Sequence, residues 1–391
     1  MKKYYMVSNG CYLSRVDIKR MELFLKKNKW LPSGSLQNAD MIIFSTCAFS
    51  EDREDDAIAT IKRLEKEKDE KAKLVIAGCL PIINREKMLK NFHGQYFDPH
   101  SLSQLGDIID AKYTGMDEIP SSQPVLTDEN TFSGKKEETY CIRIAYGCLS
   151  RCSFCVVNNV FPKLTSKSRE MIIKEFKAGL SKGYKNFSLS AEDVSVYGLD
   201  IGTNLAELLK DLKKIRGNFT ISLYRLNPEG LMKMSSDFMD ILRSKKIVYL
   251  SIPINSGSNR IIKLMNRKYD AKEVKNYIKK IKKAFPFLKF NLDIMVGFPG
   301  ETEEDFQQTL RFVSETGPDN VQAFWFTDRP GAKAKHLGKT ISSKTMKRRS
   351  MMLYLLLSAK KRNKILYQLI KMSYLLYSSI PLKYFFLTEN A

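Results

Sequence analysis

The stretch CIRIAYGCLSRCSFC, residues 141–155, decides how the rest of the chain is read. Its first six residues form an apolar run that reads as a strand, and the run ends on Gly147. Three cysteines follow at once, Cys148, Cys152 and Cys155, in a Cys-x3-Cys-x2-Cys spacing. Thiols clustered in one loop at a strand end are metal-ligand chemistry. A 4Fe–4S cluster takes four thiolates as a full set, so a loop offering three leaves one iron open to a small molecule. A structural zinc site would instead need a fourth ligand and usually two Cys-x2-Cys knuckles.

Working outward, strands and helices alternate on the C-terminal side. A helix over 168–182 precedes the strand NFSLS, and a helix over 204–215 precedes FTISLYRL. The run continues through a helix at 235–243, the strand IVYLSIPI, a helix at 271–284, the strand KFNLDIMVG, a helix at 303–315 and the strand VQAFWFT. About six β/α units in succession predict a partial (β/α) barrel. Before the cysteine loop, residues 113–137 are rich in Pro, Ser, Asp and Gly and read as a linker. The first 112 residues alternate again: YYMVS, a helix over 16–29, DMIIFST, a charged helix over 57–68, then a strand at 74–77. This predicts a small parallel α/β domain. The fold class is therefore α/β: a small N-terminal domain (1–112), a linker (113–137), a partial barrel (138–335) and a basic helical tail (336–391).

Each of the three N-terminal strands runs into a cysteine: Cys11, Cys47 and Cys79. Ligands gather at the carboxyl edge of parallel sheets, so three cysteines far apart in sequence can meet there. Gly10 and Gly78 lie beside two of them and are read as letting backbone approach a bulky ligand. Cys141 is read as a small apolar filler, and His93, His100 and His336 have no metal-ligand spacing. Lys and Arg number 65 against 43 Asp and Glu, a net charge of +22 that suits a polyanion such as RNA. No stretch reaches the roughly eighteen uninterrupted apolar residues of a membrane span, and no signal peptide is legible. A reducing cytoplasmic location follows for seven unevenly spaced cysteines.

These residues resemble a known family. The loop with Phe154 before its last cysteine resembles the radical S-adenosylmethionine (SAM) superfamily. SNGC (8–11), STCAF (45–49) and AGCLP (77–81) are similar to motifs of its methylthiotransferase family. So are SAEDVSVYGLDIGTNL (190–205), IPINSGSNR (252–260), LMNRKY (264–269) and DIMVGFPGETEEDF (293–306). The 190–205 pattern is most similar to members acting on threonylcarbamoyladenosine in tRNA. The resemblance implies two 4Fe–4S clusters. One, on Cys148, Cys152 and Cys155, binds and reduces SAM to a deoxyadenosyl radical. The other, on Cys11, Cys47 and Cys79, carries the sulfur to be inserted at an unactivated C–H bond, with a methyl group from a second SAM. Glu192 is expected to accept a hydrogen bond from the bound SAM, and Gly297 and Gly300 to let backbone approach it. Arg260 and Arg267 are read either as substrate contacts or as surface cations, and Glu301 as structural, with Thr302 a helix cap. The implied partners are tRNA, an external electron donor and a sulfur source, with no membrane. A ribosomal-protein or peptide substrate, or a non-catalytic iron–sulfur or RNA-binding derivative, are the alternatives. After Arg349 the chain reads as helical and then aromatic, where family members end in a small all-β RNA-binding domain.

Overall fold

The structure, a computed structural model, describes residues 1–127 and 137–362. The apolar-aromatic segment 374–387 of the expected tail lies outside the described residues.

In the first domain the strands Lys3–Ser8, Leu31–Pro32, Met41–Thr46, Lys73–Gly78 and Gln95–Phe97 make one parallel sheet. Lys3–Ser8 lies between Leu31–Pro32 and Met41–Thr46, with Lys73–Gly78 and Gln95–Phe97 following outward. The central strand is buried at every position, which is why DMIIFST reads as a continuous apolar run. The helix Glu51–Glu67 covers one face through Ile58, Ile61 and Leu64, and the helix Tyr12–Lys27 covers the other through Met21, Phe24 and Leu25. Both helices begin earlier than apolar periodicity suggests. The second carries Glu51, Asp52 and Glu54 in its first turn, where carboxylates favour the positive end of the helix dipole.

The second sheet runs Glu137–Arg143, Asn186–Ser190, Thr220–Leu223, Ile247–Asn255, Lys289–Val296 and Asn320–Trp325 in sequence order, all parallel. This is the expected partial barrel. Ile142, Leu189, Leu223, Leu250, Leu292 and Val321 face the outer helices and form the main core. Intervening positions, among them Arg143, Ser188, Ser190, Ser222, Ser251 and Asn291, are buried but polar and face the opposite side, the barrel interior. The helix Ser343–Arg362 closes the outer layer by burying Leu353, Leu356 and Leu357 in the same core.

The stretch expected as a linker is partly strand. Ser122–Thr127 pairs antiparallel with Glu137–Arg143 at the sheet edge. Its Pro124 signalled a loop in the sequence, yet an edge strand tolerates a missing N–H donor. The two domains are locked together by buried polar contacts. Arg143 pairs with Asp17 at 3.4 Å, Arg329 pairs with Glu54, and Tyr12 stacks on Tyr224 at 5.0 Å between ring centroids.

Candidate active site

Parallel pairing brings the N-terminal cysteines together. Thr46 and Gly78 are register partners, so Cys47 and Cys79 leave adjacent strand ends side by side. Cys11 stands at the start of the helix Tyr12–Lys27, just past the neighbouring strand, with its side chain making no capping bond. Burial pushes the Cys47 and Cys79 thiols up, and nearby Cys11 adds to both shifts, which places the three within charge range of one another. The Phe49 backbone N–H partly offsets the upward push of burial on Cys47.

In the second trio burial pushes Cys148 up to about 12, with Asp193 adding to it, and Cys155 up to about 11. Neutral thiols are what burial alone favours. A bound metal centre reverses this by stabilising thiolate. N–H groups are aimed at the sulfurs: Ser150 N at Cys148 (3.4 Å), Val157 N at Cys155 (3.4 Å) and the Arg267 guanidinium at Cys152 (3.8 Å). Such donors stabilise cluster thiolates and tune their potential. None of the seven cysteines is in a disulfide. Among the described residues no three His, Cys, Asp or Glu side chains converge on a single ion. The donor chemistry of both trios, three free thiols each, fits a 4Fe–4S cluster.

The trios lie near one another: the short helix Leu80–Ile83 after Cys79 packs on the short helix Val157–Val160 after Cys155. Arg225, just past the strand Thr220–Leu223, lies within charge range of both Cys47 and Cys155. Cys79 in turn feels Glu192 and Arg143, and Glu192 accepts the Gly147 N–H beside Cys148 at 2.9 Å.

The cysteine loop is held from several sides. LMNRKY lies against it: the Ser153 hydroxyl donates to Leu264 O (2.9 Å) and the Asn266 amide to Arg151 O (2.7 Å). The segment 328–334 adds the Lys333 and Ala334 N–H groups on Ser153 O, at 2.8 and 2.9 Å. Asn227 donates to Ser150 Oγ and to Asp193 Oδ2, both at 3.1 Å, and accepts from Arg267 at 3.0 Å. Arg267 is thus half-buried behind the loop, tied to Cys152, Asn227 and Pro253 O, and is not a surface cation. Asp193, Asn227 and Arg143 were not singled out from the sequence; only the alternation of polar residues on apolar strands hinted at them.

The glycines and Glu192 are placed by the protein's own packing. A Cβ on Gly78 would lie 2.4 Å from Thr46 O, one on Gly147 2.2 Å from Lys163 O, and one on Gly10 2.0 Å from Ser14 Oγ. Gly78, at φ +100°, is therefore required by neighbouring backbone, while Gly10 sits against the Ser14 side chain. Gly297 has φ +82° and the space its Cβ would fill is taken by Met346; Gly300, at φ +79°, packs on Gly338. Glu192 spans the Arg143 guanidinium (2.5 Å) and Gly147 N, so both its oxygens already fix the loop start. Arg260 pairs with Asp305 and donates to Gly300 O at 2.6 Å.

Thr302 caps the helix Glu303–Thr316 in a reciprocal box with Asp305. Glu301 before it is buried, accepts Gly297 N–H at 2.7 Å and pairs with Arg349 at 2.7 Å. Its other oxygen has no partner. Burial outweighs the guanidinium and pushes Glu301 up to about 7. The folded state then holds a proton that the unfolded chain releases, so this group costs stability as pH rises from about 4.5 to about 7. The cost is about 3 kcal/mol. In thermal melts, wild-type Tm should fall relative to Glu301→Gln across that window; parallel curves would refute the assignment.

A cavity of about 800 Å³ opens elsewhere at the domain junction, lined by Arg20, His100, Lys167 and Glu175 among others. No cysteine lines it, and its acidic and basic groups offset each other.

Residues 3–97 match the uncharacterized protein family UPF0004 and residues 142–313 match the Radical SAM superfamily. A tRNA-2-methylthio-N(6)-dimethylallyladenosine synthase of Carboxydothermus hydrogenoformans is 30% identical over 363 residues, covering 89% of this chain and 81% of that protein. A probable threonylcarbamoyladenosine tRNA methylthiotransferase of Methanocaldococcus jannaschii is 31% identical, covering 90% and 82%. This chain belongs to the radical SAM methylthiotransferase family. The methylthiotransferase is also 30% identical to the ribosomal protein uS12 methylthiotransferase RimO of Chlamydia caviae, covering 89% and 76%. Among solved structures its fold is similar to the radical SAM methyltransferase TsrM of Kitasatospora setae, at TM-score 0.61 and 11% identity, covering 85% of this chain and 75% of that one.

Proposed function

We propose that this methylthiotransferase inserts sulfur and a methyl group at an unactivated C–H bond of threonylcarbamoyladenosine beside the tRNA anticodon. The observation that carries the reading is the pair of cysteine trios, one from each domain, brought together where the helix after Cys79 packs on the helix after Cys155. Cys148, Cys152 and Cys155 would hold one 4Fe–4S cluster and Cys11, Cys47 and Cys79 a second. When bound, the first supplies the electron that cleaves SAM and the second the sulfur that is transferred. Sulfur insertion needs both a hydrogen-abstracting radical and a sulfur donor at one carbon, and two neighbouring sites put both within reach of one substrate. Gly297 and Gly300, with the turn they build, and Glu192 at the loop start would border the bound SAM. The Arg267 and Asn227 network holds the first loop in place while substrate enters. The net charge of +22 supports an RNA substrate. Among the described residues no helix is long and apolar enough to cross a membrane. An external reductant and a sulfur source, in the cytoplasm, complete the reading.

Equal identity to RimO supports a second reading, methylthiolation of a ribosomal-protein residue. Mass spectrometry of digested tRNA from cells with and without the gene tests the two. Loss of the methylthiolated form of threonylcarbamoyladenosine is the expected result. Unchanged nucleosides, with a methylthio mass lost from a ribosomal-protein peptide, would replace the first reading by the second.

A further inference from the structure

Phe49 is a large aromatic ring left 54% exposed two residues after Cys47. Two residues apart, ring and thiol share one short loop between the strand Met41–Thr46 and the helix Glu51–Glu67. The ring meets Phe324, on the last barrel strand, edge to face at 5.8 Å and 77°. Glu51 N–H donates to Thr327 Oγ1 at 3.4 Å and ties the loop to the end of that strand. Phe324 is the register partner of Met295, and Met295 and Phe154, the residue before Cys155, both pack on the apolar cluster of Ile261, Met265, Phe298 and Ala334. Phe49 thus sits beside the barrel strand whose neighbour shares an apolar cluster with the second cysteine loop.

We infer that Phe49, buttressed by Phe324, is a stacking platform for the purine base of the RNA substrate and a specificity-determining element of this site. The inference rests on the proposed sulfur-insertion reading and deepens it by naming what holds the base. Two observations favour a base over other occupants. The ring is braced edge to face against Phe324, so its free face is held ready for a flat partner. Gln322 is exposed two residues before Phe324, on the same side of the strand, with an amide suited to a base edge. The net charge of +22 draws in the polyanion as a whole, and the phosphates then run over other surfaces.

The test uses the full chain with reconstituted clusters and two synthetic anticodon stem-loops. One carries threonylcarbamoyladenosine at the target position and the other an abasic site there. Wild type is expected to bind the base-bearing stem-loop about tenfold more tightly, the worth of one stacked base. Phe49→Ala should bind the two equally, and Phe49→Tyr should keep the preference. Iron content and Tm equal to wild type establish that Phe49→Ala is folded. A tenfold preference persisting in Phe49→Ala, or absent from wild type, overturns the inference. The binding result stands whether or not the wild type turns over. Base-dependent binding with no methylthiolated product in a reductant-driven assay would refute the sulfur-insertion reading alone.

Discussion

Replacing Cys148 by alanine is expected to abolish formation of 5′-deoxyadenosine from SAM, while replacing Cys47 by alanine leaves it intact and stops sulfur insertion. Cys148, Cys152 and Cys155 come from one loop, and a site built on three thiolates loses its hold when one is removed. Each variant should retain about half of the wild-type iron, because the trios sit on separate domains with separate backbone supports. Around Cys148 the supports survive the change: Asn227 still bridges Ser150 and Asp193, and Ser153 O still accepts from Lys333 and Ala334. Cys141→Ala is the control. That thiol is fully buried, bonds Ser190 Oγ at 3.6 Å and lies in an apolar cluster with Tyr12 and Tyr224, so its loss should leave iron content unchanged. Anaerobic iron analysis and chromatographic detection of deoxyadenosine decide the matter. Full iron in Cys148→Ala, or lost deoxyadenosine in Cys47→Ala, would overturn the division of labour.

Arg143→Met should be the most destabilising single change in the barrel interior. The guanidinium is 1% exposed, pairs with Glu192 and with Asp17 of the other domain, and stacks over Tyr146 at 3.8 Å. Methionine fills a similar volume but strips Glu192 of its cation and leaves Asp17 only Arg20, at 3.8 Å, a change worth about 3–5 kcal/mol. Burial already pushes Asp17 up, and Arg143 is the larger of the two guanidinium influences holding it down. A Tm lower by roughly 10 °C is expected. Adding Asp17→Asn to Arg143→Met should recover part of the loss, since one of the stranded charges is then gone. The same variant loosens Glu192 and with it Gly147, so its cluster should be lost sooner on mild heating. A Tm within a degree or two of wild type would mean that the junction is held by its apolar contacts alone.

Much of this architecture is legible in the chain. DMIIFST is apolar throughout because its strand is covered on both faces. NFSLS and KFNLD alternate because one face meets helices and the other a polar interior. The cysteine loop is legible because its three thiols need only nine consecutive residues, Gly147 to Cys155. The strand in 122–127 was hidden by turn-forming residues that an edge position accepts. Arg267 was ambiguous because nothing local says whether an arginine after a helix end points outward or, as here, back behind a cysteine loop. What stands beside Gly10 and Gly78 was not legible, because a sequence shows that a side chain is missing and not what occupies its place.

The sequence by itself determined the strand–helix order, the two sets of three cysteines and the strand ends on which they sit, since these follow from local periodicity and spacing. Only the tertiary structure decided that Cys11, Cys47 and Cys79 adjoin, that the segment after Cys79 packs on the segment after Cys155, and that Arg143 reaches 126 residues back to Asp17. Those facts depend on which strands pair, in what register, and how two domains dock. Such contacts join residues whose separation along the chain carries no signal of their separation in space.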